Sequence, residues 1–338
     1  MDISRLKEIV TLFKNKKIAV AGDLMLDVYI WGKANRISPE APVPIVGVSK
    51  KTSCLGGAAN VMRNVVTLGG QVKAFGVIGS DHDGAEISNM LNGYGIESNS
   101  VYTDPDRRTT QKQRIIAGSQ QLLRIDYEDT DPVDEKFREK IVSDLLELIE
   151  TSAVDAIIFE DYGKGLLDED MLAVTIQAAS KRGIITSLDP KPGHLLNVKG
   201  LTVIKPNRSE AFAMAGKFAK DGAGPVEQDK ELMEVADILM DEWEPDYLLI
   251  SLAAQGMALF RKDSPMIVIP TRAREVFDVS GAGDTVISAF SLALAAGASG
   301  REAAEIANHA AGIVVGKVGT VTVLADELIE SFEDGESN

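Results

Sequence analysis

Near its C-terminal end the sequence reads DVSGAGDTVISAFSLALAAG, with Gly281, Ala282, Gly283 and Asp284 immediately ahead of an apolar helical run. Three minimal side chains at a helix N-terminus let backbone N–H groups approach an anion closely, and the helix dipole favours negative charge there. Asp284 falls in the first turn, where a carboxylate beside a phosphoryl group can orient an acceptor hydroxyl and take its proton. A tight turn followed by a helix-capping acid fits the same four residues, and the motif alone does not separate the two.

Other chemistries find less support. The stretch from Gly312 to Val318 has the wrong spacing for a P-loop and no hydroxyl for magnesium, and no G-x-G-x-x-G follows a strand, which argues against a nicotinamide-dependent oxidoreductase. His82, His194 and His309 are far apart and show no metal-ligand spacing, so surface or satisfied core roles are expected. The single Cys54 can form neither an internal disulfide nor a multi-cysteine zinc site; it reads as a small packing residue and fits a reducing, cytoplasmic setting.

Composition narrows the partners. Of 338 residues, 45% are hydrophobic and 25% charged, and 35 Lys and Arg face 51 Asp and Glu, for a net charge of −16. Such a chain can bury a large core, and its field repels polyanions, so no nucleic-acid or membrane partner is expected and small molecules are favoured. MDISRLKEIVTLFKNKK reads as an amphipathic helix rather than a signal peptide, and the apolar run from Thr285 to Gly300 is too short to span a bilayer.

The elements that must position Asp284 alternate between strand and helix. Apolar strands are predicted from Lys16, Gln71, Asp155, Gly183, Leu201 and Tyr247, with helices from Gly56 and over 133–151, 168–182 and 227–242. This βαβ alternation predicts an α/β fold, a mainly parallel sheet covered on both faces, with ligands beyond the carboxyl ends of the strands. Residues 28–50 and 101–127 break the pattern with β-like segments that suggest a small projecting sheet, a lid or a dimer surface, although decorated loops fit them too. No linker divides the chain, so 1–330 reads as one domain and 331–338 as an acidic, solvent-exposed tail.

Taken together, the early Gly22-Asp23-x-x-x-Asp27, the Gly56-Gly57-x-x-Asn60 element, Asn207-x-x-Glu210 and Gly281-Ala282-Gly283-Asp284 resemble, in order and separation, the ribokinase-like (PfkB) carbohydrate kinases. The resemblance covers nearly the whole chain and implies a ribokinase-like three-layer α/β/α fold with a small β-sheet lid, and an ATP- and magnesium-dependent sugar kinase. Within the family, RISPEAPVP from Arg36, GGAANV from Gly56 and NHAAGIVVGKVGT from Asn308 look like kinases of D-glycero-β-D-manno-heptose 7-phosphate, acting at the anomeric hydroxyl on the way to nucleotide-activated heptose for lipopolysaccharide. In many relatives a nucleotidyltransferase follows; the chain ends without an H-x-G-H motif, so a separate adenylyltransferase or a longer parent chain would supply that step. Kinases of another sugar, sugar phosphate or nucleoside, and a non-catalytic sugar- or nucleotide-binding protein, are the alternatives.

Residue by residue, the resemblance implies Asp284 as catalytic base, with Gly281, Ala282 and Gly283 as the anion hole. Asp27, Gly56, Gly57 and Asn60 match sugar-binding positions, and Arg36 and Lys191 are the cations expected to hold the substrate phosphate. Lys205, Asn207, Glu210, Ser251, Gly256 and Asn308 fall on the nucleotide side, Glu210 organising magnesium through water. Glu210 and Asn207 also read as a helix capping box, and Lys205 as a solvated strand-end lysine. Ala253 stands where the family usually has glycine, and Asp278 with Val279 occupies the place of the family's Asp-Thr, which permits a monovalent cation such as potassium at Asp278. A lid-mediated homodimer is a further implication of the resemblance.

Overall fold

The computed structural model describes residues 2–194, 196–219, 224–273 and 276–333. Its strands are β1 (Lys17–Gly22), β2 (Leu24–Ile37), β3 (Pro44–Gly57), β4 (Gln71–Gly79), β5 (Glu97–Asp104), β6 (Thr110–Ala117) and β7 (Gln120–Tyr127), followed by β8 (Ala156–Glu160), β9 (Ile185–Asp189), β10 (Val203–Ile204), β11 (Tyr247–Ser251), β12 (Met257–Phe260) and β13 (Ile267–Ile269). The helices are α1 (Ile3–Leu12), α2 (Ala58–Thr67), α3 (His82–Gly93), α4 (Glu135–Glu150), α5 (Glu169–Arg182), α6 (Arg208–Met214), α7 (Lys230–Trp243), α8 (Ala282–Ala295), α9 (Gly300–Val315) and α10 (Ala325–Ser331).

Nine strands form the larger sheet in the order β13-β12-β11-β10-β9-β8-β1-β4-β5. From β5 to β11 all neighbours are parallel, and β12 and β13 close the edge as antiparallel additions. Alternation along the central strands sets two cores. Ile18 and Val20 of β1 face a cluster with α1, α2, α8 and α9, whereas Ala19 and Ala21 face one with α4, α5 and α7. Burying each large aliphatic side chain contributes about 1.5–3 kcal/mol, so both faces must be covered. Every residue of α8 from Asp284 to Ala293 is buried, so the helix carries apolar residues on all sides and its Thr285, Ser288 and Ser291 hydroxyls are hydrogen-bonded within the core. Among the described residues no helix is long and apolar enough to cross a membrane.

The smaller sheet has the order β3-β2-β6-β7 and projects from the carboxyl side of β1. Its strands reach beyond the predicted lid segments: β2 and β3 span 24–37 and 44–57, while residues 101–104 belong to β5 of the large sheet, where Val101 packs on the core. The strand predicted from Leu201 is only two residues long. The expected tail also starts later than 331, because Ser331 ends α10 and Phe332 is 2% exposed, edge-on to His309; residues 334–338 lie outside the described chain.

Candidate active site

In the parallel register Gly22 lies opposite Glu160, and Glu160 opposite Asp189, so the carboxyl ends of β1, β8 and β9 are level, with Lys205 just past β10. This is the crevice where an open parallel sheet presents ligand-binding groups. The N-terminus of α8 enters it. Gly281 has φ +79° and a Cβ there would lie 2.9 Å from Asn60 Nδ2, so this turn requires glycine; a Cβ at Gly283 would lie 3.3 Å from Lys205 Nζ.

Asp284 is 7% exposed, and its carboxylate is held from two sides. Asn60 Nδ2 donates to one oxygen at 2.6 Å and the Tyr162 hydroxyl to the other at 3.0 Å. Arg63 Nη2 in turn donates to Asn60 Oδ1 at 2.8 Å and to the Thr320 carbonyl at 2.9 Å, which leaves the Asn60 amide N–H to face Asp284. Burial raises the Asp284 pKa more than the Asn60 and Tyr162 hydrogen bonds lower it, so this carboxylate is a stronger base than an exposed aspartate. Burial, followed by the Asp284 charge, pushes the Tyr162 phenol well up and keeps it a donor. Asp23 positions that tyrosine: it accepts the N–H groups of Tyr162, Lys164 and Leu166 at 2.9, 3.0 and 3.4 Å.

Below Asp284 lies a carboxylate cluster. Glu160, Asp189 and Asp284 each offer an oxygen, all within 4.8 Å of one another, the kind of convergence seen in metal sites. Lys205 Nζ sits 2.8 Å from Asp189 and neutralises part of the cluster. Two buried carboxylates and the half-buried Asp189 around one ammonium are not all ionised at low dielectric. Glu160 is fully buried and, among the described residues, neither of its oxygens has a hydrogen-bond partner; burial, then Asp189 and Asp284, drives its pKa well up.

On the lid side, Asp27 is 7% exposed and accepts from Arg114 Nη1 at 2.7 Å. A Cβ at Gly56 would lie 2.7 Å from Asp27 Oδ2, so glycine there admits the carboxylate, and Gly57 turns the chain into α2, whose first turn holds Asn60. The Cys54 thiol nearby is pushed up to about 11, by burial first and the Asp27 charge second, and stays protonated, in keeping with a packing role. Arg36 does not join the site. It is exposed, opposite Ile45 at the far end of β2, nine residues beyond Asp27 and so about 30 Å along the strand. Lys191 is exposed, but a Cβ at Gly163 would lie 3.6 Å from its Cγ, which places its stem beside the Tyr162 loop.

On the nucleotide side, Asn207 and Glu210 form the capping box of α6: Asn207 Oδ1 accepts the Glu210 N–H at 3.0 Å, and Glu210 Oε2 accepts the Asn207 N–H at 2.7 Å. Ser251 bridges Asn207 at the end of β11. Gly256 lies in the turn to β12 with φ +90°, and Ala253 holds φ +51°, a left-handed conformation that costs a non-glycine residue about 1–2 kcal/mol. Asn308 Nδ2 donates to the Pro270 carbonyl at 2.7 Å. Both oxygens of Asp278 are taken by backbone, Ser280 N–H at 2.9 Å and Gly319 N–H at 3.1 Å. Burial alone would raise its pKa, but these bonds outweigh burial and the carboxylate is held below its ordinary range.

Sequence reasoning passed over Tyr162, Arg63, Arg114, Glu160 and Asp189, and quoted Asp23 in the early motif without giving it a role. Arg63 was the most accessible of these, standing three residues after Asn60 and therefore on the same helix face. The acids ending the strands from Asp155 and Gly183 were also visible, because carboxyl ends are where such sheets bind ligands. Nothing local marked the pairing of Tyr162 with Asp284, which are 122 residues apart.

A parallel sheet whose strand ends meet a glycine-led helix and a buried aspartate, under a small β lid, describes a phosphotransferase of the sugar-kinase class. The profile of the pfkB family carbohydrate kinases matches residues 15–327, and the chain belongs to that family. It is 43% identical over 313 residues to the bifunctional protein HldE of Geobacter metallireducens, covering 93% of this chain and 62% of the relative, and 42% identical over 326 residues to HldE of Geotalea uraniireducens, covering 96% and 65%. The chain thus spans less than two thirds of the length of these relatives. In fold it is similar to Arabidopsis thaliana ribokinase complexed with ribose and ATP (TM-score 0.72, 18% identity, 94% of this chain and 99% of that one) and to Escherichia coli phosphofructokinase-2 with substrates and products (0.75, 19%, 94% and 99%).

Proposed function

We propose that this sugar kinase transfers the γ-phosphoryl group of ATP to the anomeric hydroxyl of D-glycero-β-D-manno-heptose 7-phosphate, giving the 1,7-bisphosphate for nucleotide-activated heptose synthesis. The observation that carries it is Asp284, buried at the N-terminus of α8 and held by Asn60 and Tyr162. Asp284 takes the proton of the acceptor hydroxyl; that oxygen bonds to the γ-phosphorus as the bond to the β–γ bridging oxygen breaks, and ADP leaves. The N-terminus of α8 stabilises the charge that develops on the transferring group, with the Gly281 and Gly283 N–H groups as donors, while the Ala282 N–H is given to the Val279 carbonyl at 3.2 Å. The heptose assignment draws on the segments beginning at Arg36, Gly56 and Asn308, and on two relatives that share one name.

Glu210 is the residue that would hold a hydrated magnesium: one of its oxygens is engaged by the Asn207 N–H and the other can accept from a metal-bound water, while the ion supplies charge neutralisation on the ATP phosphates. Asp278 keeps one lone pair on each oxygen, so the monovalent cation proposed there remains compatible with its backbone hydrogen bonds. With both oxygens accepting backbone N–H groups, it ties two loops together. A homodimer through the lid is supported by its exposed apolar residues, among them Ile37 at 65%, Val48 at 60% and Leu123 at 54% exposure.

ADP formation across a panel of sugars and sugar phosphates tests the reading. Turnover is expected with heptose 7-phosphate, and Asp284→Asn should lower kcat by about 10²–10⁴-fold. Turnover of ribose or fructose 6-phosphate but not of the heptose phosphate would remove the substrate assignment, and an Asp284→Asn enzyme with wild-type kcat under chemistry-limited conditions would remove the base.

A further inference from the structure

Strands β6 and β7 carry three cations, Lys112, Arg114 and Arg124, on strands that lie beside Asp27 in the lid. Cross-strand register puts Lys112 between two carboxylates, Asp27 on β2 and Asp126 on β7. Both are already engaged. Arg114 holds Asp27 at 2.7 Å, and Arg124 grips both oxygens of Asp126 at 2.9 Å. The nearby Lys164 is paired with Glu128 at 2.8 Å. Among the described residues Lys112 has no carboxylate within ion-pair distance; its Nζ lies over the ring of Tyr162, 5.1 Å from the centroid. It is half-buried, so this ammonium is partly desolvated, and the two carboxylates that attract it, Asp27 and Asp126, are each held by an arginine.

We propose, building on the sugar-kinase reading, that Lys112 receives the phosphate that the acceptor sugar already carries, so that the lid selects phosphorylated over unphosphorylated sugars. Tyr162 sets the geometry: its hydroxyl is on Asp284 and its ring is under Lys112. A sugar lying along that ring presents its reacting hydroxyl to Asp284 and its anionic end to the lid. Lys191, its stem beside Gly163 in the same loop, adds a second positive charge on that side. The local balance favours an anion, with Lys112, Arg114 and Arg124 against Asp27 and Asp126, in a chain whose net charge is −16. Burial lowers the Lys112 pKa, opposed by Asp27 and aided by Lys164, and a bound phosphate would restore it by supplying a dianion for a charge-assisted hydrogen bond.

The test compares kcat/KM of the wild-type enzyme, Lys112→Gln and Lys112→Arg on matched pairs of sugars with and without a terminal phosphate. The wild type should prefer the phosphorylated member. Lys112→Gln should collapse that preference by roughly 10–100-fold, mostly through KM, and Lys112→Arg should recover much of it. An equal loss on both members of each pair, with no recovery in the arginine variant, would show a packing role and overturn the proposal. If the wild type turns over another sugar phosphate with the same dependence on Lys112 but rejects heptose 7-phosphate, the subsite stands and the heptose assignment falls. A wild-type preference for unphosphorylated sugars throughout removes the subsite, and turnover of neither class removes both.

Discussion

The two sides of the active site solve opposite electrostatic problems. At the carboxyl ends of β8 and β9, Glu160, Asp189 and Asp284 crowd around the single ammonium of Lys205, so negative charge is in excess and protonation relieves it. On the lid, Asp27 and Asp126 are matched by Arg114 and Arg124, and Lys112 is left over, so positive charge is in excess. Burial raises the basicity of Asp284, with Lys205 opposing it, which suits proton abstraction. Excess cation on a half-exposed lid suits capture of an anionic acceptor. An acidic protein can therefore bind anions, because the sign of the local field is set by pairing within a few ångströms and not by the net charge.

The comparison can be broken first at the lid. Arg114→Ala breaks the pair at the buried Asp27 and leaves Lys112, directly across from it, as the nearest cation, so the cost should approach but not exceed about 3–5 kcal/mol, that of a broken buried pair. Chemical denaturation should show that loss, and KM for the sugar should rise while KM for ATP holds. A variant as stable as the wild type would mean that the lid pair is solvated and that the lid has no electrostatic order of its own.

A smaller effect is expected at Tyr162. Its hydroxyl stabilises the charged form of Asp284, so Tyr162→Phe should raise the Asp284 pKa further. Because activity needs the carboxylate, the acid limb of the kcat/KM profile should move to higher pH, by about one unit for the loss of one hydrogen bond to a charged group. An unmoved limb, or one displaced to lower pH, would contradict the assignment of Asp284 as the titrating base.

The smallest effect falls on the carboxylate cluster. The Glu160 carboxyl has a higher pKa folded than unfolded, so the native state retains a proton there that the unfolded chain has lost, and stability declines as pH rises from the ordinary glutamate range through the folded value. Glu160→Gln removes that titration. It should be close to neutral near pH 4 and become increasingly stabilising as pH rises, read from urea denaturation at several pH values. A difference that does not change with pH would show that Glu160 is ionised in the folded protein.

Much of the framework was legible because its signals are local. Alternating β and α segments, the glycines before Asp284 and the capping box at Asn207 and Glu210 are short-range patterns, and each appears in the structure close to where the sequence places it. The antiparallel edge strands β12 and β13 and the two-residue β10 were harder, since brief apolar runs carry little periodicity. Arg36 shows the limit from the other side: its neighbouring motif is informative, yet the length of β2 carries it away from the site.

What the sequence determined by itself was the fold class, the family and the presence of a carboxylate at a glycine-led helix start, because composition, periodicity and motif order are properties of the chain alone. What only the tertiary structure decided was which charges meet. Arg63 orients Asn60, Asn60 and Tyr162 hold Asp284, Lys205 answers Asp189, and Lys112 is left beside the Tyr162 ring. Most of these contacts join residues far apart in sequence, and Coulomb and hydrogen-bond energies depend on separation in space, which the folded sheets and helices alone set.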